Sequence, residues 1–303
     1  MVALKLHLDD TLGCIFIGGV LSSGMLYGFA SAQFILYLRH YATRDKLSVK
    51  CLVLFAWMLD TTATASDMSF GWYYLVQRHA DLFGLLVLPK AYELEYAVTG
   101  FITCLVQMFY VREIWKLVRE MPLMVRLATI SPPMILSLFS LAFSLVGVYV
   151  TSSHDWIITK TLPPNVKWTT SRVWTAAAAD ICITVVLCWA LSKKKTGFKQ
   201  SDRMINTLIT YIINRGVLSA MVQIALCATF IASIKQNKML WVIFHTAGGK
   251  IYVNSMMAVL NARQLLNNNG PEVYNMSDLS ENSTPGRPRR MDNAPENDVY
   301  YIS

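Results

Sequence analysis

The sequence predicts an all-α fold: a polytopic membrane bundle of seven transmembrane helices, with the N-terminus outside and the C-terminus in the cytosol. Three observations predict it. Hydrophobic residues make up 54% of the 303 positions and charged residues 15%, well below the roughly 25% charged of soluble domains. Mean hydropathy is +0.40, and the apolar sequence recurs in separate runs as far as Asn261 instead of gathering in one anchor. Lys and Arg concentrate in alternate connections between those runs, which orients helices across a bilayer. The formal charge of +8 is thereby explained by membrane topology, and nucleic-acid binding is excluded.

About 20 apolar residues cross the hydrocarbon at 1.5 Å each. Residues 1–11 form a short segment expected outside; their Asp9 and Asp10 precede an apolar run too long for a signal-peptide core. The spans are expected near 12–38, 50–76, 92–111, 124–150, 171–191, 204–233 and 240–262, so that the membrane domain covers 12–267. The second, fourth and sixth are long enough to tilt or project. Pro132 and Pro133 are expected to kink the fourth, or to separate it from a short interfacial helix near Val125. Gly24 and Gly28 in the first, and Ala176 to Ala179 in the fifth, give small faces that permit close packing or dimerisation. From 268 to 303 the chain fills with Asn, Ser, Pro, Glu and Arg, a composition that predicts a disordered cytosolic tail. A cytosolic tail would leave the glycosylation patterns at Asn275 and Asn282 unmodified.

Orientation rests on charge. One set of connections holds Arg39, Arg44, Lys46 and Lys50, then Arg112, Lys116, Arg119 and Arg126, then Lys193, Lys194, Lys195, Lys199 and Arg203, then Arg263, fourteen in all. The opposite set holds eight: Lys5, Arg78, Lys90, Lys160, Lys167, Arg172, Lys235 and Lys238. The richer set belongs in the cytosol. Trp72, Tyr73, Tyr74, Trp156, Trp168 and Trp241 are then placed as anchors at the outer interface.

Charges inside a bilayer are costly and mark either register-fixing pairs or a wet cavity. Asp60 and Asp67 lie seven apart on one face of the second span, with Asp67 expected near the interface beside Trp72. Asp180 lies in the fifth, Arg215 in the sixth, and Lys250 in the seventh with His245 and Asn254 within about a turn. Lys250 is expected to pair with Asp60 or Asp180. A retinal Schiff base on Lys250 finds no further supporting pattern, and no cofactor is expected. The chain is expected to be no enzyme. His245 is the one histidine inside a span, so a His-rich metal site cannot be assembled there, and phosphate-loop and nucleophile-elbow patterns are lacking.

The run Lys195-Thr196-Gly197-Phe198-Lys199-Gln200-Ser201-Asp202 is followed by Ile205-Asn206 and Asn214-Arg215-Gly216-Val217-Leu218. Lys250-Ile251-Tyr252-Val253-Asn254-Ser255 and Leu260-Asn261-Ala262-Arg263 close the seventh span. With Leu21-Ser22-Ser23, Tyr27-Gly28 and Trp57-Met58-Leu59-Asp60, these residues resemble a large family of seven-span integral membrane proteins of mushroom-forming (basidiomycete) fungi that carry a domain of unknown function. The resemblance implies fold, source and location, without an activity. By position it groups Asp60, Asp180, Asn214, Lys250, Tyr252, Asn254 and Asn261 as a shared internal network; Arg215 joins them as an intramembrane charge.

The expected function is a non-enzymatic seven-helix receptor or sensor in the plasma membrane, on the strength of outside-in topology, short loops and a basic third cytosolic connection. A small-solute or proton-linked transporter using the intramembrane charges is the alternative, and a membrane scaffold a third. Expected partners are membrane lipids and a cytosolic partner or anionic lipid at the basic cluster Lys193, Lys194, Lys195, Lys199 and Arg203.

Overall fold

The computed structural model describes residues 12–41, 45–78, 84, 87–153, 158–195, 199–236 and 239–268, without the side chains of 158, 159, 162, 199–201, 204, 234–236 and 263–268. The segment 1–11 and the chain beyond 268 lie outside the described residues, as do Trp156, Asn275 and Asn282 and the side chains of Lys199 and Arg263. The chain divides into two units, Met1–Arg263 and Gln264–Ser303; of the second, the described residues 264–268 are helical.

The described residues contain helices and no strand. A π-helical segment, Phe16–Ser22, leads into α1 (Ser23–Tyr41), and α2 (Leu47–Trp72) continues as a π-helical turn, Tyr73–Gln77. There follow α3 (Lys90–Leu117), α4 (Leu123–Ser153), α5 (Ile158–Ser192), α6 (Lys199–Gln236) and α7 (Trp241–Asn268). Both π segments close hydrogen bonds five residues back, Ser23 N–H to Gly18 O and Arg78 N–H to Tyr73 O at 2.9 Å.

Among the described residues six helices are long and apolar enough to cross a membrane, from Phe16–Tyr41 to Ile205–Ser233. The chain is a multi-pass membrane protein. Its surface carries apolar side chains such as Met25, Phe29, Tyr149 and Val185 exposed by 62–73%, while Asp60, Gln107 and Asp180 are fully buried. Lipid as solvent accounts for that inversion. α7 is not among the six, because its interior holds His245, Lys250, Asn254 and Asn261. Those polar groups are turned onto other helices: α7 hydrogen-bonds to α1, α2, α3, α5 and α6.

Two differences from the sequence expectation involve prolines. α4 runs through Pro132 and Pro133 as one helix, with no separate interfacial helix at Val125. Proline removes the donors for the carbonyls of Ala128 and Thr129, a loss that membrane helices tolerate where side chains or neighbours compensate. α5 begins at Ile158 and not near 171; Pro163 and Pro164 lie in its second turn, where each leaves one carbonyl without its intrahelical donor. Arg172, counted from the sequence as a loop charge, is therefore inside the bundle and 5% exposed.

α1 and α7 run parallel. Asn254 donates to Leu26 O at 2.9 Å and Asn261 to Gln33 O at 2.9 Å, so a step of seven on one helix matches a step of seven on the other. At the start of this contact a Cβ on Gly18 would meet the Ile243 backbone at 2.8 Å; only glycine lets the π segment lie there. Of the two glycines expected to pack, Gly24 would meet only the flexible end of Met68 at 3.4 Å, and Gly28 faces open space.

Candidate functional site

α7 takes part in three clusters that hold charged residues. In the first, Lys250 and Asp60 are 1% and 0% exposed. The ammonium stands 3.0 Å from Asp60 Oδ1 and donates to Asp60 O at 2.9 Å and Thr64 Oγ1 at 2.5 Å. Thr64 spends its own proton on Asp60 O, one turn back, so its oxygen is free to accept from the lysine. Asp60 Oδ2 accepts no hydrogen bond. Of the two carboxylates named from the sequence, Asp60 is the one that meets Lys250.

Asp180 belongs to the second cluster, on the opposite face of α7. Its Oδ1 accepts from Arg215 at 3.2 Å and from Gln107 at 3.1 Å, and its Oδ2 from the Tyr252 hydroxyl at 2.5 Å. Gln223 in turn donates to Tyr252 at 3.2 Å. The Arg215 guanidinium lies 4.0 Å over the Tyr110 ring, a contact favoured by the ring quadrupole. Lys250 and Tyr252 are two residues apart, about 200° around the helix, which is why one faces α2 and the other α5.

The third cluster lies near the starts of α3 and α7, against the middle of α5. Glu95 accepts from Thr99 at 2.7 Å and meets His245 Nε2 at 2.7 Å, while His245 Nδ1 is 3.4 Å from Arg172. Arginine only donates, so in the contact with Arg172 it is Nδ1 that accepts, and Nε2 is the atom turned to Glu95. His245 stacks on Tyr96 at 5.4 Å and lies 6.0 Å from Trp241 and 6.3 Å from Tyr92. Asp67 is nearby, 2% exposed, and accepts from Ser23 at 2.5 Å; its side chain faces the interior of the bundle. Tyr74 and Trp241, expected as lipid anchors, are likewise buried, whereas Trp72 is 57% exposed.

The sequence-derived set therefore divides. Asp60 with Lys250, and Asp180 with Arg215 and Tyr252, are brought together. Asn254 ties α7 to α1. Asn214 is exposed, because it precedes Arg215 by one position and so points about 100° away from it; it does not join the network. Sequence reasoning missed Glu95, Gln107, Arg172 and Gln223. The available signal was the pattern Glu95-xxx-Thr99, which stacks a hydroxyl on a carboxylate one turn away.

Beyond the third cluster, at the same end of the bundle, lies a small open cleft walled by Tyr92, Glu93, Tyr96, Phe230 and Trp241. Trp241 touches both this cavity and His245. At the opposite, basic end Lys193, Lys194, Lys195 and Arg203 are exposed. Lys194 pairs with Glu120 at 2.6 Å and holds that carboxyl below the usual carboxylate range through the hydrogen bond first and its charge second. Among the described residues no group of three His, Cys, Asp or Glu is placed to hold a metal ion.

Residues 176–265 match the model of the Family of unknown function (DUF6534). The match spans the second half of α5 through α7, and so includes Asp180, Arg215, His245, Lys250 and Tyr252, but not Asp60 or Glu95. No curated protein and no solved structure matches the chain.

Proposed function

We propose that the chain is a non-enzymatic membrane receptor or sensor with seven crossings, its cavity end outside and its basic end in the cytosol. One observation carries the reading: α7 contributes Trp241 to the cavity wall and then His245, Lys250 and Tyr252 to the three charged clusters in succession. A ligand that displaces Trp241 presses on His245, and a shift of α7 must then re-form ion pairs to α2, α3 and α5 together. Buried pairs of this kind suit a two-state element, since intermediate positions strand a charge. The parallel run of α1 and α7 supports an odd number of crossings, and the exposed lysines support a cytosolic basic end where anionic lipid or a partner docks. The resemblance to the fungal family supports a fungal source, and the outside-in reading favours the plasma membrane.

A proton-linked carrier is the second reading, favoured by the buried, unpartnered Asp60 Oδ2. Flux in liposomes separates the two. The reconstituted chain is expected to dissipate no proton gradient; a flux that Asp60→Asn abolishes would overturn reception in favour of transport.

A further inference from the structure

The cavity at the α3 N-terminal end has a chemistry of its own. Three of its lining side chains present polar atoms that are buried and make no hydrogen bond: Glu93 Oε1, Thr161 Oγ1 and Asn165 Oδ1. Thr161 is 1% exposed, so bulk water does not satisfy its hydroxyl. The orientation of the Asn165 amide is fixed. Thr151 spends its one hydroxyl proton on Gly147 O at 3.0 Å, and its oxygen therefore accepts from Asn165 Nδ2 at 2.7 Å. That leaves the Asn165 carbonyl as the atom without a partner.

All three atoms can accept, and two of them can do nothing else when Glu93 is ionised. Buried acceptors without donors are expensive to keep. The remaining wall is aromatic: Tyr92 and Trp241 meet edge to face at 5.9 Å, and Phe230 and Trp241 at 5.4 Å. Aromatic faces attract cations. Glu93 is the acidic group of the lining, with the buried Glu95 and Asp67 beyond it. Opposing them are Arg172, already committed to His245, and Lys90, exposed one turn before Glu93.

We propose that this cavity binds a compact organic ammonium, a protonated primary amine that directs its N–H groups to Glu93, Asn165 and Thr161 and its apolar body onto Tyr92, Phe230 and Trp241. The proposal rests on the receptor reading for its consequence, though not for its chemistry.

The test uses the full chain in lipid nanodiscs and three probes of one shape: 2-phenylethylamine, its N,N,N-trimethyl form, and 2-phenylethanol. Binding is read by calorimetry, and a shift at the basic end by hydrogen exchange of residues 191–203. The primary amine is expected to bind at least ten-fold more tightly than the alcohol and more tightly than the trimethyl form. Glu93→Gln should weaken it at least ten-fold, and Asn165→Asp, which adds a charge without changing shape, should tighten it. Equal affinity for amine and alcohol, or an amine affinity unmoved by both substitutions, overturns the amine assignment. If the alcohol binds and alters exchange at the basic end, the assignment fails while reception stands. If the amine binds as expected and exchange does not change, reception fails and the assignment stands.

Discussion

At the scale of single residues, the arrangement around Lys250 shows how a lysine is kept charged inside a membrane protein. The ammonium donates to two neutral oxygens, Asp60 O and Thr64 Oγ1, and stands within ion-pair distance of Asp60 Oδ1. Removing the lysine strands a carboxylate that is 0% exposed, and removing both charges strands nothing. Lys250→Met is therefore expected to lower stability in detergent by about 1–3 kcal/mol, and Lys250→Met with Asp60→Asn by less than the sum of the single changes. Coupling below about 0.5 kcal/mol in that cycle would mean the two sites act independently. The sequence allowed this pair to be narrowed to two carboxylates, because few anions lie inside the spans. Glu95 and Arg172 escaped notice for the opposite reason: each sits near the expected start of its span, where a charge reads as a loop or interface residue until the helix is seen to extend past it.

At the scale of helices, six of the expected apolar runs lie in helices long and apolar enough to cross a membrane, but the runs could not locate where the helices begin. α5 is the clear instance, since its span was expected near 171–191 and the helix, with Pro163 and Pro164 inside it, begins at Ile158. The π-helical entry to α1 was not legible either, because a five-residue hydrogen-bond step leaves no mark in composition. What it achieves is local: it brings Gly18 against the backbone of Ile243. A side chain there must push α1 from α7. Gly18→Leu is expected to lower the melting temperature, by a free-energy loss of about 1–3 kcal/mol for overpacking, whereas Gly28→Leu, facing open space, should leave it within experimental scatter. A similar loss at both positions would mean that the first helix does not approach α7 as described.

At the scale of the whole molecule, polar groups are gathered inside and apolar ones outside, and the composition alone made that much legible. The direction in which the bundle sits is the testable part. An epitope tag before residue 12 is expected to be reached by antibody on intact cells, and a tag after Arg263 only after permeabilisation; glycan on Asn275 or Asn282 would reverse the assignment. The parallel contact of α1 and α7 carries a consequence for how the chain can be re-cut. In a bundle whose first and last helices were antiparallel neighbours, a few residues would join them and new termini could be opened in any loop. Here α7 is 28 residues long and ends at the opposite face from the start of α1, so a joining segment would have to travel roughly 40 Å along the bundle. A segment that joins Arg263 to the start of α1 must therefore run back along the length of α7.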